Sequence, residues 1–263
     1  MRKKKSVREF FDEISDQYDA KYDVKANKFL AHFFRRRIEI ATDGLPMSLG
    51  TVLDIGAGTG QLYRFLLENG YSFDNYVAVD ISGGMLSQSI IPKDSRYVGD
   101  IHLPELDFYR GTVDHIFLLG VTTYMASDEL ADALKRIEQL SKDDGLLICT
   151  FTNRNSIELM AQSIISWLLY TFSRLTGSGL NVVAAQRFPR LIVSEKAMKA
   201  FLSPHGTTEG VFYVNQTLTP VNRILPMASI RLESFLNHML QKWPRALAPL
   251  SSDILFRIRM ERK

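Results

Sequence analysis

The chain is expected to form an α/β fold with a mostly parallel sheet, and three observations carry that expectation. Residues 51–60 read TVLDIGAGTG: a β-prone apolar run from Thr51 to Ile55 with Asp54 near its tip, glycines at 56, 58 and 60, and then a helical stretch from Gln61 to Asn69. Four further apolar runs follow at 75–81 (NYVAVDI), 95–99 (SRYVG), 112–121 (TVDHIFLLGV) and 145–151 (GLLICTF), spaced as strands separated by helices. With 263 residues, 46% hydrophobic and 23% charged, the chain has core enough for one large domain.

Before the first strand, Ser6 to Tyr18 places Val7, Phe10, Phe11, Ile14 and Tyr18 on one helical face, and Ser6 with Glu9 makes a capping box. Phe29, Phe33 and Phe34 continue into a second helix, on which Arg35, Arg36 and Arg37 read as a solvated flank. The glycine turn lets the backbone lie against a ligand, because no Cβ intervenes, and the helix behind it offers free N–H groups and a positive dipole end. Asp80 closes the second strand twenty residues after Gly60, where a carboxylate can accept both hydroxyls of a ribose. Asp100 and Ile101 follow the third strand. Between the fourth and fifth strands Ser127 to Leu140 forms a helix, with Ser127 as cap, Asp128 and Glu129 in the first turn, and Leu130, Leu134 and Ile137 as its apolar stripe.

The spacing of the glycines separates two ligand families. A dinucleotide fingerprint is G-x-G-x-x-G; here the third glycine comes one residue early and Gln61 stands where that pattern wants Gly or Ala. An acid before the first glycine followed by G-x-G-x-G resembles motif I of the class I S-adenosylmethionine-dependent methyltransferases, and residues 51–151 fit that family's order of elements. The resemblance extends loosely to Ser194–Tyr213, as penultimate helix and sixth strand, with a seventh strand at Asp253–Met260. It implies a Rossmann-like seven-stranded sheet, parallel except for its last strand, with helices on both faces and helical cap insertions. It implies S-adenosylmethionine as cofactor, met by Gly56, Ala57, Gly58 and Gly60 at the methionine part, with Asp54 supporting the loop or the amino group. Asp80 with its neighbour Ile81 would hold the ribose, Asp100 and Ile101 the adenine, and Leu119 at the end of the fourth strand would lie along the cofactor. The string FFDEISDQYDAKYD resembles the N-terminal lid of small-molecule methyltransferases, in which aromatic residues close the cofactor pocket; Tyr18 and Tyr22 match that role.

On this reading residues 1–45 are a helical lid and 46–151 the cofactor-binding core. Residues 152–193 are a helical insertion, 194–214 resume the core, 215–250 are a second cap insertion, and 251–263 hold the last strand. The first insertion carries an apolar helix at 156–175 and a Gly-Ser turn at Gly177–Gly179; the second carries Arg231–Trp243, with Leu232, Phe235, Leu236, Met239, Leu240 and Trp243 on one face. Both are expected to cover a hydrophobic acceptor pocket at the carboxyl edge of the sheet. The run 159–172 is shorter than the ~20 residues a spanning helix needs.

Charge is unevenly spread. Residues 1–150 hold 18 Lys and Arg against 23 Asp and Glu, a net of −5, while residues 151–263 hold 14 against 6, a net of +8. A small or lipid-like, anionic acceptor and a peripheral membrane contact through the C-terminal part are consistent with that asymmetry, as is a plain solvated basic face. No nucleic-acid module is present, and the basic excess is not gathered in an aromatic-laced stripe. The lone Cys149 lies in an apolar strand, gives no disulfide framework and fits a reducing, cytoplasmic setting. The start MRKKKSVREF lacks the apolar segment of a secretory signal. The five histidines show no metal-ligand spacing, so no metal is expected.

Methyl transfer from a sulfonium depends chiefly on alignment and exclusion of water, with O- or N-methylation favoured over C-methylation. His102, His115, His205, His238 and Tyr124 are candidates for a general base, and none stands in a motif that singles it out. The competing classes are a nicotinamide-dependent oxidoreductase, which would also use the glycine loop and Asp80, and a non-catalytic interaction protein on the same fold.

Overall fold

The computed structural model describes residues 6–21, 28–161, 163, 164, 167, 171, 191–216, 225–242 and 248–261. Two helices lead in, α1 (Val7–Lys21) and α2 (Lys28–Thr42), the first opened by the Ser6–Glu9 capping box. The core then runs β1 (Thr51–Ile55), α3 (Gln61–Glu68), β2 (Asn75–Asp80), α4 (Gly83–Ser87), β3 (Arg96–Val98), β4 (Val113–Leu118), α5 (Ser127–Leu140) and β5 (Ser141–Asn153). A short β6 (Ile192–Val193), α6 (Glu195–Leu202), β7 (Gly206–Gln216), α7 (Pro226–Lys242) and β8 (Ser251–Met260) complete the described chain.

The strands form one eight-stranded sheet in the order β3-β2-β1-β4-β5-β8-β7, with β6 added parallel to the end of β5. β1 to β5 are mutually parallel, and β8 runs antiparallel to both β5 and β7. This is the arrangement expected from the sequence with one addition, β6, inside the segment read as a helical insertion. The strand order reverses between β1 and β4, which opens a crevice at their carboxyl ends where open α/β sheets bind ligands.

Every residue of β1 is buried, as a central parallel strand requires. Its alternate side chains serve two cores. Leu53 and Ile55 join Val77, Ile116 and Leu147 beneath α5 and α6, and Val52 joins Ala78, Phe117 and Ile148 beneath α2 and α3.

Two local expectations are corrected. α5 begins one residue earlier than Ser127 as cap would place it: Ala126 is the N-cap, its N–H bonded to the Glu129 carboxylate at 2.7 Å, which leaves Ser127 inside the first turn. α7 begins at Pro226, and the apolar stripe read from the sequence is divided: Leu236 and Met239 are partly buried, while Leu232 and Phe235 are exposed. Ser229 and Glu233, one turn apart, are buried, and Glu233 meets His32 of α2 at 2.6 Å, which rotates Leu232 and Phe235 outward to solvent. Leu240 and Trp243 lie outside the residues whose side chains are described, as do Gly177–Gly179 and most of 156–175.

Candidate functional site

The turn after β1 is tied to the neighbouring strand, Gly56 N and Ala57 N both donating to the Val79 carbonyl at 2.7 and 3.1 Å. Gly56, Gly58 and Gly60 all have positive φ, 75°, 54° and 78°. A Cβ on Gly56 would stand 2.1 Å from Val121 Cγ2, and one on Gly60 2.4 Å from Ser89 Oγ, so packing forbids a side chain at either. Gly58 differs: a Cβ there would make only ordinary contact, with Met85 Cε at 3.7 Å, and it is the φ of 54° that favours glycine.

Asp80 lies just across from it. Its Oδ2 accepts from Gly58 N and its Oδ1 from Ser82 N, each at 2.8 Å, so one carboxylate joins the glycine loop to the turn before α4. Burial raises its pKa, against the two backbone donors that lower it. Asp54 is fully buried one strand away, and its Oδ2 accepts from the Tyr76 hydroxyl at 2.7 Å. Burial pushes the Asp54 carboxyl up to about 7, Tyr76 pulls against it and Asp80 adds to it. Asp100 Oδ1 accepts from His102 N at 2.8 Å, and Ile101 beside it is buried in the core.

The glycine turn and the three acids line one cavity of about 820 Å³ at the carboxyl edge of the sheet, near the upper end of the ~300–1,000 Å³ common for small-molecule sites. Asp54, Gly56, Ala57, Gly58, Asp80 and Ile81 form one side, and Asp100, Ile101 and Leu119 continue it. Gly60 is not among the lining residues; it faces Ser89 and Ile91 behind the loop. Tyr18 lines the cavity, and Tyr22 lies outside the described residues. Phe11, Phe33, Phe34, Tyr124, Phe151 and Leu159 give the same cavity an aromatic and apolar lining, with Phe11 and Tyr124 packed edge to face at 5.3 Å. Ser156, Glu158 and Leu159 bring the start of the first insertion to the cavity, and no described side chain of α7 is among its lining residues. Phe33, Phe34, Arg37 and Ile38 bring α2 to the cavity as well.

Three side chains of α1 that the sequence reading passed over hold the lid shut. Asp12 Oδ1 accepts from Ser82 Oγ at 2.6 Å and Gly84 N at 3.1 Å, and Asp16 Oδ1 accepts from Gln88 Nε2 at 3.0 Å. Asp19 Oδ1 accepts from Thr59 Oγ1 at 2.6 Å and Gln61 Nε2 at 3.0 Å, on the glycine loop itself. The spacing i, i+4, i+7 of these acids was the available signal, but beside an apolar stripe it reads as a solvated face. Arg37 is a correction of the same kind. It is not part of a solvated flank: its side chain is 12% exposed, Nη2 donates to Asp253 Oδ2 at 2.8 Å, and the guanidinium lies against the rings of Phe33 and Phe34.

Of the base candidates, His102 lines the cavity, 3.1 Å from Asp132. His115 Nδ1 bonds the Leu49 carbonyl at 2.7 Å and burial lowers its pKa, which makes it a satisfied residue of the sheet. His205 pairs with Glu138 at 2.6 Å, and neither it nor His238 lines the cavity. Among the described residues no cluster of His, Cys, Asp and Glu could hold a metal ion, and no helix is long and apolar enough to cross a membrane.

A family model described as a methyltransferase domain matches residues 53–147, the stretch that builds the glycine loop, Asp80, Asp100 and the strand after them. That match spans 95 of the 263 residues. The chain's fold is that of the class I S-adenosylmethionine-dependent enzymes. One chain of the complex between the Haloferax volcanii Trm112 methyltransferase activator and a methyltransferase matches it with a TM-score of 0.62 at 18% identity, over 98% of this chain and 99% of that one. Magnesium protoporphyrin IX methyltransferase from Synechocystis, solved with bound S-adenosylhomocysteine, matches with a TM-score of 0.60 at 16% identity, over 96% and 98% of the two chains. At these identities the likeness is one of fold. An uncharacterized protein of Methanocaldococcus jannaschii is 28% identical over 166 residues, 62% of this chain and 59% of that protein's own length.

Proposed function

We propose that this chain transfers the methyl group of S-adenosylmethionine to an oxygen or nitrogen of a small or lipid-like acceptor. The observation that carries the reading is the meeting of Gly58, Asp80, Asp100 and Ile101 in one covered cavity, in the order the fold uses for a nucleoside cofactor. The residues fit that group. Gly58 turns the loop at a φ of 54° and carries no Cβ where it lines the cavity. Each Asp80 oxygen accepts one backbone N–H and keeps a lone pair for a ribose hydroxyl.

The sulfonium supplies an activated methyl group, so the protein's work is binding, alignment and exclusion of water. In this reading Gly56, Ala57 and Gly58 pack on the methionine part, Asp80 and Ile81 hold the ribose, and Asp100 and Ile101 hold the adenine. Leu119 and Tyr18 flank the cofactor, and α1 closes over it through Asp12 and Asp19. Phe11, Tyr124 and Leu159 offer the acceptor an apolar wall. The basic excess of residues 151–263 and the outward side chains Ile157, Met160, Ile164 and Trp167 support contact with an anionic membrane surface from which a lipid-like acceptor could enter.

The test is a labelled-methyl screen of lipid extracts and small phenols, amines and acids, run with purified protein. Transfer that needs intact Asp80 supports the reading; NADH binding without S-adenosylhomocysteine binding would favour an oxidoreductase. Flotation with phosphatidylglycerol vesicles tests the membrane contact, and protein that stays in the aqueous fraction ends it.

A further inference from the structure

Arg37 stands apart from everything else that lines the cavity. It is the one Arg or Lys among the described lining residues, against seven Asp and Glu. Its guanidinium is fixed on three sides, by Asp253, by the rings of Phe33 and Phe34, and by the backbone at Gly120. A Cβ on Gly120 would lie 2.6 Å from Nη1, so that glycine, at φ 74°, makes room for the head group. Asp253 is itself held by Asn215 Nδ2 at 2.8 Å. Of the five N–H donors of a guanidinium, the described residues engage only Nη2, and the buried Nε has no partner among them. Asp253 pairs the charge, and the donors left over are costly in a buried site unless a ligand accepts from them.

Its position says which ligand. The nucleoside side of the cavity lies over β1, β2 and β3, where Gly58, Asp80 and Asp100 sit. Arg37 lies over the ends of β4, β5 and β8, beside Gly120, Thr152 and Asp253, on the aromatic side. We propose that Arg37, positioned by Asp253 and Gly120, binds an oxyanion of the acceptor, a carboxylate or phosphate. This rests on the methyltransferase reading of the cavity. Because the other charged groups there are acids, the oxyanion has a single favourable place, so the ion pair also fixes which end of the acceptor points at the methyl group. The acceptor is then an amphiphilic acid: its apolar body against Phe11, Tyr124 and Leu159, its head group at Arg37.

The probes are phenylacetate and phenethylamine, titrated by ligand-observed NMR into the full chain saturated with S-adenosylhomocysteine, beside Arg37→Met and Arg37→Lys. The expected result is phenylacetate binding that weakens about tenfold or more in Arg37→Met, the size of one charged contact, with partial recovery in Arg37→Lys and no preference for phenethylamine. S-adenosylhomocysteine affinity should be the same in all three proteins. Three results overturn the proposal: no phenylacetate binding to the unaltered protein, equal binding to it and both variants, or tighter binding of phenethylamine. A fourth does so differently. Loss of S-adenosylhomocysteine affinity in Arg37→Met, with methylthioadenosine affinity unchanged, would assign the guanidinium to the cofactor's own carboxylate. Should Arg37→Met fail to fold, Arg37→Lys decides alone, since it keeps the charge opposite Asp253 but lacks the planar fork. If the unaltered protein binds no S-adenosylhomocysteine, the functional reading fails, and the phenylacetate titration without it still judges Arg37.

Discussion

Replacing Asp54 by asparagine should stabilise the protein in mild alkali and change little in acid. The carboxyl is fully buried at the tip of β1, and burial pushes its pKa from 3.8 up to about 7. A folded-state pKa above the unfolded one means that the native protein binds this proton more tightly than the unfolded chain does. The group therefore costs nothing below about pH 4, where both states are protonated, and its cost grows as pH rises to about 7. A gap of about 3 units at 1.36 kcal/mol each amounts to about 4 kcal/mol once both states are ionised. That is an upper bound, because a buried site relaxes around its ion. Asparagine keeps the shape, and its Oδ1 can accept the Tyr76 hydroxyl that Asp54 Oδ2 accepts at 2.7 Å. Urea unfolding of both proteins at pH 4, 6 and 8 and constant ionic strength reads the difference, with m values expected to match. The variant's advantage should be near zero at pH 4 and reach a few kcal/mol at pH 8. A difference that is flat across this range, or an Asp54→Asn protein less stable at pH 8, would refute the reasoning.

Asp12→Ala with Asp19→Ala removes four hydrogen bonds between the lid and the loops around the cavity; at about 1 kcal/mol or less for each partly exposed bond, S-adenosylhomocysteine should dissociate about tenfold faster or more by stopped-flow fluorescence, with global stability little changed. Gly56→Ala places a Cβ 2.1 Å from Val121 Cγ2 at a φ of 75°, so it should cost about 2 kcal/mol or more in urea unfolding, and Val121→Ala in the same chain should restore part of it. Burial pushes the Cys149 thiol far above its usual range; the native protein should leave a thiol reagent such as dithionitrobenzoate unreacted at pH 8, and the urea-unfolded chain should react with one equivalent.

The core strands were legible because each is a short apolar run with a turn signal at its end, and their order followed from one motif with an acid twenty residues on. What stayed hidden depended on contacts across the fold. Asp12, Asp16 and Asp19 look like a wetted helix face until α4 and the glycine loop are laid against them. Arg37 looks like one member of a basic triplet, and only its partner Asp253, 216 residues away, shows that it alone turns inward. In α7 the apolar spacing held for Leu236 and Met239, and the surprise was buried Glu233 facing His32 beside them, with Leu232 and Phe235 left exposed. β6 has two residues, too short to carry any periodicity.

Calorimetric titration of the full chain with S-adenosylhomocysteine, beside Asp80→Asn, tests the central claim most directly. Asp80 should give the ligand charge-assisted bonds worth about 1.5–3 kcal/mol each, so saturable one-to-one binding to the unaltered protein should weaken at least about tenfold in the variant. Equal affinity in the two proteins, or heat with NADH and none with S-adenosylhomocysteine, would contradict it.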